Sequence, residues 1–189
     1  MRSWLAVFCK LGPLLLALWV TLPQSALALT ASQVYEQVKD SVVVVKAYDQ
    51  QGKLAGMGSG VMLPSGDVIT NYHVVKAGVR YLVGQGKKGV PATLKAGDPD
   101  KDLCLLTAPG LVAKPARVGK TAGLKVGHQV YAVGAPQGLE LSLSEGIVSQ
   151  LRGGGSHPII QTTVAISKGS SGAACSTPKR NWWASPPST

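Results

Sequence analysis

This chain is poor in the residues that bind metals. It has 3 cysteines and 3 histidines in 189 residues. No Cys-x-x-Cys or His-Glu-x-x-His spacing occurs, and His73, His128 and His157 are scattered. The common metal-ligand patterns are therefore excluded, and the chain reads as free of metals and other cofactors. Aromatic side chains make up 5% of the residues against a formal net charge of +10. Adjacent basic pairs are limited to Lys87-Lys88 and Lys179-Arg180, and no aromatics interleave with them to stack on bases. Nucleic-acid binding is set aside on that ground, and the basic balance reads as a solvated surface. Internal repeats and low-complexity tracts are also lacking. The apolar stretch Leu14–Val20 is bracketed by Pro13 and Pro23 and is too short to span a bilayer comfortably.

What is present begins with a targeting segment. Arg2 and Lys10 flank Trp4–Phe8, Leu14–Val20 is an apolar core, and Ala26-Leu27-Ala28 is a small-x-small cleavage site. The expectation is a signal peptide over residues 1–28, cut after Ala28, and a periplasmic or secreted product with no membrane attachment after cleavage. The cut removes Arg2 and Lys10 and leaves 17 of the 19 basic residues against all 9 acidic ones. The remainder suits one domain, or two small subdomains sharing a cleft. Cys9 leaves with the signal. An oxidising compartment permits a disulfide between Cys104 and Cys175, but only if their Cα atoms approach within about 7 Å. Cys104 lies in an apolar strand and reads as a small buried hydrophobe.

Thr30 with Gln33 makes a capping box, and Val34 and Val38 share a face, so a short helix is predicted over Ala31–Lys39. Strands are predicted at Ser41–Tyr48, Met57–Leu63, Val68–Asn71, Val79–Val83, Gly89–Ala96 and Leu103–Thr107. The third of these delivers His73. Pro109–Lys125, punctuated by proline and glycine, reads as a connector. Further strands follow at Gln129–Val133, Leu141–Ser144, Gly146–Leu151 and Ile159–Val164. Many short strands with frequent turns argue for an all-β barrel or sandwich.

The chemistry concentrates at Gly169-Ser170-Ser171-Gly172, where two glycines flank a pair of hydroxyls after the β-branched run Ile159–Val164. Such a bend can aim several backbone N–H groups at one point, which makes a serine there a candidate nucleophile. A serine hydroxyl needs a base. Ile69-Thr70-Asn71-Tyr72-His73-Val74-Val75 offers His73, and Asp98-Pro99-Asp100-Lys101-Asp102-Leu103 offers an acid before an apolar strand. The order His, Asp, Ser is one of the known triad orders. His128 and His157 lie in turn-like contexts and read as surface residues.

Six local stretches resemble trypsin-like serine proteases of the Deg/HtrA type. They are Gly58-Ser59-Gly60-Val61, Thr70-Asn71-Tyr72-His73-Val74, Asp102-Leu103-Cys104-Leu105-Leu106, Val133-Gly134-Ala135-Pro136-Gln137-Gly138, Glu145-Gly146-Ile147-Val148-Ser149, and Gln161-Thr162-Thr163 through Gly172. The resemblance covers about residues 34–174 in the family's order. It implies an all-β, chymotrypsin/trypsin-like double β-barrel over residues 29–175, the first barrel about 34–108 and the second about 118–175. His73 and Asp102 would come from the first barrel and Ser171 from the second. Ser171 takes the nucleophile's place in the family's Gly-x-Ser-Gly pattern, His73 would be the general base, and Asp102 would hold its tautomer; Asp100 is the competing acid. The backbone N–H groups of Gly169 and Ser171 would form the oxyanion hole. Ala165 and Ile166 would line the substrate pocket and favour small aliphatic side chains.

After Ala174 the chain departs from the family, which continues with a strand pair that closes the second barrel and walls the pocket. Cys175–Thr189 has three prolines and no alternation, so residues 176–189 read as an irregular tail, the second barrel as incomplete, and the chain as truncated or frameshifted after the nucleophile motif. The expected function is an exported serine endopeptidase acting on unfolded or damaged proteins and peptides. The alternatives are a non-catalytic member of the fold that binds peptides or partners, and an inactive truncated product. A homotrimer is expected only by family analogy.

Overall fold

A computed structural model describes residues 29–86, 88–135, 140–152, 159–165, 170–178 and 182–184, the last three by their backbone alone. Residues 1–28, expected to be a signal peptide, together with His157 and the expected site residues Ile166 and Gly169, lie outside the described residues.

The first half is a closed six-stranded barrel in the order β1-β2-β3-β6-β5-β4. Its strands are β1 (Val42–Tyr48), β2 (Leu54–Met62), β3 (Asp67–Thr70), β4 (Arg80–Gly84), β5 (Val90–Asp98) and β6 (Leu103–Thr107). All pairings are antiparallel, and β1 closes on β4 with Val44 opposite Gly84. The uninterrupted valines of β1 follow from strand geometry, because alternate residues point to opposite faces and both faces are covered. Val43 and Val45 fill the barrel with Val68, Val83 and Leu106, while Val42 faces the second half.

The second half is a five-stranded sheet in the order β11-β10-β7-β8-β9. It comprises β7 (Gln129–Gly134), β8 (Ser142–Arg152), β9 (Ile159–Thr162), β10 (Ala174–Ser176) and β11 (Trp182–Ala184). It makes a half-barrel, so the architecture is a trypsin-like double barrel with the second barrel incomplete. β7 is again two-sided. Val130 packs with Leu124, Val148 and Val164 inside the half-barrel, while Tyr131 and Val133 turn toward the first barrel.

The helix α1 (Ala31–Val38) sits at the junction. Thr30 and Gln33 cap it reciprocally, at 3.0 and 3.3 Å, and its buried Val34 and Val38 join Val42, Val61, Tyr131, Val133 and Ala174. The junction is thus a hydrophobic core in its own right. Among the described residues no helix is long and apolar enough to cross a membrane.

Two sequence expectations need correction. Leu141–Ser144 and Gly146–Leu151 are not separate strands but one, β8. Gly146 does not break it. A Cβ there would stand 2.7 Å from the Val164 nitrogen, so the glycine permits close approach of a neighbouring chain segment. The region 176–189 is not wholly irregular, since Trp182–Ala184 pairs with Ala174–Ser176. Its prolines stand outside this short strand, and the two tryptophans favour extended backbone. His73 itself lies just past the third strand, in the one-turn helix α2 (Tyr72–Val75).

Candidate active site

The strand β3 runs into α2, whose N-cap is Asn71. This single turn lifts His73 to the barrel rim, where its side chain is 40% exposed. The Asp98–Asp102 turn before β6 brings the acid to the same rim. Asp102 Oδ1 accepts the His73 backbone N–H at 2.7 Å, and Oδ2 meets His73 Nδ1 at 2.6 Å. A carboxylate only accepts, so Nδ1 carries the proton and Nε2 is left as the acceptor of the neutral ring. Asp102 is 17% exposed. Asp100 is exposed, and Asp98 is engaged by Lys101 at 2.7 Å, so neither competes for the imidazole.

Ser171 occupies a turn closed by the Ala173 N–H donating to the Ser170 carbonyl at 2.8 Å. Gly172 holds the third position with φ +78°, a geometry that favours glycine there. The turn is docked on the first barrel: the Ser59 N–H donates to the Ser171 carbonyl at 2.7 Å. Beside it, Gly58 has no room for a side chain, since a Cβ would stand 2.9 Å from the Ser171 carbonyl oxygen and 2.7 Å from Val74 Cγ2. The serine turn and the helix bearing His73 therefore press on the same point of β2. Among the described residues no hydrogen bond joins Ser171 to His73; such contacts are often long in free enzymes and tighten with substrate. Ala165 is exposed after the end of β9.

Two residues that sequence reasoning quoted only as parts of motifs hold this arrangement. Ser59 is fully buried, its Oγ accepts the Ala135 N–H at 2.9 Å, and its carbonyl accepts Thr70 Oγ1 at 2.6 Å. Asn71 donates through Nδ2 to the Asp102 carbonyl at 2.9 Å. The only local signal for either was a polar residue inside an otherwise small or apolar run.

Cys104 and Cys175 are both unbridged. Cys104 is buried, its Sγ lies 3.7 Å from the Asn71 carbonyl, and burial pushes the thiol up to about 11, with the charge of Asp102 adding to the effect. It is an inert thiol beside the site. Burial likewise pushes Cys175 up to about 11. His128 Nδ1 accepts the Lys125 N–H at 3.3 Å and staples the turn before β7. Among the described residues no group of His, Cys, Asp and Glu could hold a metal ion.

A closed barrel beside a second, open one, with an imidazole–carboxylate pair at their junction, is the layout of a trypsin-like peptidase. The trypsin-like peptidase domain family matches residues 58–181. A probable periplasmic serine endoprotease, DegP-like, of Ectopseudomonas mendocina is 37% identical over 129 residues, covering 65% of this chain and 27% of the relative. The anti-sigma-I factor RsgI9 of Acetivibrio thermocellus is 33% identical over 144 residues, covering 75% of this chain and 20% of that protein. Among solved structures, the HtrA-type protease AlgW with tripeptide shares the fold with a TM-score of 0.73 at 23% identity, over 82% of this chain and 52% of its own. The chain belongs to the trypsin-like peptidase family; its likeness to the DegP-like relative and to the HtrA-type structure is one of sequence stretch and of fold. It spans 20–27% of the length of these two curated relatives.

Proposed function

We propose that the protein is an exported serine endopeptidase that uses Ser171 as nucleophile, His73 as general base and Asp102 as the acid that orients it. The observation that carries this reading is the two-point grip of Asp102 on His73, at 2.7 and 2.6 Å, beside a serine turn bonded to the same barrel.

In the proposed cycle Ser171 Oγ attacks the scissile carbonyl carbon while its proton passes to His73 Nε2. Asp102 stabilises the imidazolium that forms. The negative oxygen of the tetrahedral intermediate takes the backbone N–H groups of Gly169 and Ser171, where one donor is typically worth ~10²–10³ in turnover. Collapse breaks the C–N bond, His73 returns the proton to the departing amine, and an acyl ester remains on Ser171. Water then attacks that ester with His73 again taking a proton, and the carboxylic acid leaves as Ser171 is reprotonated. Ala165 and Ile166 line the pocket for the side chain before the cut, and their apolar character suits small aliphatic residues. The proposed substrates are unfolded or damaged proteins. Export with cleavage after Ala28 belongs to the same reading, supported by the basic-flanked apolar segment at the N-terminus and by the periplasmic relative's name.

A fluorophosphonate probe tests the proposal. Covalent labelling of wild type that is abolished in Ser171→Ala is the expected result. Soluble, folded wild-type protein that takes up no probe would overturn it.

A further inference from the structure

We propose that Asn71 is a positioning residue for the His73–Asp102 pair. Its amide holds the backbone of Asp102 in the twist that aims the carboxylate at both donors of His73. The inference rests on the catalytic reading above and extends it to a residue that touches no reacting atom.

Asp102 is the one described non-glycine residue with positive φ, at +49°. Left-handed backbone is uphill for a residue with a Cβ, and it persists only where neighbours over-determine it. Two donors converge on the Asp102 carbonyl: Asn71 Nδ2 at 2.9 Å and the Tyr72 N–H at 3.1 Å. The second is supplied by backbone whatever the sequence. The first depends on a side-chain amide at position 71.

The amide also forgoes its usual work. Asn71 is the N-cap of α2, where an asparagine oxygen ordinarily accepts an N–H from the first helical turn. No such bond is made. Instead the second helical N–H, that of His73, goes to Asp102 Oδ1. The acid caps the helix from across the rim, and the residue in the capping position serves the acid. A consequence is that Asp102 grips the backbone and the ring of His73 together, so the imidazole cannot move independently of its partner.

The amide is kept against stability. Asn71 is 1% exposed, and among the described residues its buried Oδ1 finds no hydrogen-bond partner. A buried unpaired acceptor is destabilising, and an apolar side chain of similar size would remove the penalty. The assignment of Nδ2 as the group facing Asp102 is dictated by its partner, because a flipped amide would set two carbonyl oxygens against each other. What selects asparagine is therefore the donor half of its side chain.

The test compares wild type with Asn71→Leu, which deletes donor and orphan acceptor at similar volume, and with the smaller Asn71→Ser. Three quantities are read: melting temperature, the far-downfield Nδ1 proton resonance of His73 (assigned by its absence in His73→Gln), and the rate of fluorophosphonate labelling. In Asn71→Leu the melting temperature should hold or rise, the resonance should broaden or vanish, and labelling should slow by up to about 10²-fold, the scale of a small loss of alignment. Asn71→Ser should lose the resonance as well. A wild-type resonance and labelling rate in folded Asn71→Leu would overturn the inference. So would failure of both variants to fold, because that marks a purely structural residue. If wild type takes no probe yet its resonance is lost in Asn71→Leu, the positioning role stands and the protease reading falls.

Discussion

The two halves of the molecule hold their contributions to the site in different ways. In the first barrel every strand has a partner on both sides, and eleven buried residues fill one core. In the half-barrel β11 and β9 are edges, and four buried residues form the described core. His73 and Asp102 both belong to the closed half, and their pairing needs nothing from the other. Ser171 belongs to the open half but is bonded to the closed one through Ser59. An unclosed sheet can thus hold its serine turn in register if the rigid neighbour does the holding. The junction core around Val34, Val38, Tyr131 and Val133 supplies the apolar share of that hold, and the hydrogen bonds of Ser59 supply the direction.

The sharpest way to break this division is Gly172→Ala. The new Cβ would stand 2.0 Å from the Ser59 carbonyl oxygen and 2.7 Å from Thr70 Oγ1, on backbone with φ +78°. Overpacking and left-handed strain together should cost roughly 3–5 kcal/mol in a denaturant titration. Gly66→Ala is the control within the closed barrel. Its φ is similar, +84°, but nothing lies within 4 Å of the added atom, so it should lose only about 1 kcal/mol. Equal losses in the two variants would mean that the serine turn is not wedged against β2.

The fold class was legible because the chain is punctuated. Turn residues separate short β-branched runs, and strand length and spacing survive without knowledge of tertiary contacts. The misreadings came where a local signal has a long-range cause. Gly146 looks like a strand break, yet it makes room for the Val164 backbone. Trp182–Ala184 looks like a stray tail, yet β10 gives it a partner. At the site, motif context pointed to His73 and Asp102, and the structure sets them in contact across 29 positions. It could not reveal that Asn71 reaches 31 positions to Asp102, or that Ser59 reaches 76 positions to Ala135. Such bonds depend on which way a polar side chain turns once the strands are assembled, and no residue pattern encodes that direction.

A milder intervention separates the halves without a clash. Ser59→Ala leaves both backbone bonds of residue 59 in place but removes the acceptor of the buried Ala135 N–H. One unpaired donor of this kind costs ~1–3 kcal/mol. Amide hydrogen exchange should then quicken along β7 and at Ala173 while β1 and β3 keep their protection. Uniform loss of protection across both sheets would show that the two halves unfold as one unit, and the comparison would lose its basis.

The smallest effect is confined to the closed barrel and appears only as a function of pH. Asp67, at the start of β3, is buried and accepts Lys95 Nζ at 2.8 Å, Thr107 Oγ1 at 2.8 Å and Ser65 Oγ at 3.0 Å, joining β3 to β5 and β6. The Lys95 bond first, then that of Thr107, holds its carboxyl below the ordinary carboxylate range. A group depressed on folding stabilises the native state above its unfolded pKa, and the benefit fades as pH falls through the lower folded value. Wild type should therefore melt above Asp67→Asn at neutral pH, and the gap should close in acid, below the normal range for aspartate. The same titration should leave β7 and β8 exchange rates indifferent to the substitution, because none of the three partners lies in the half-barrel. A gap that persists undiminished in acid would assign the effect of Asp67 to packing and not to its charge.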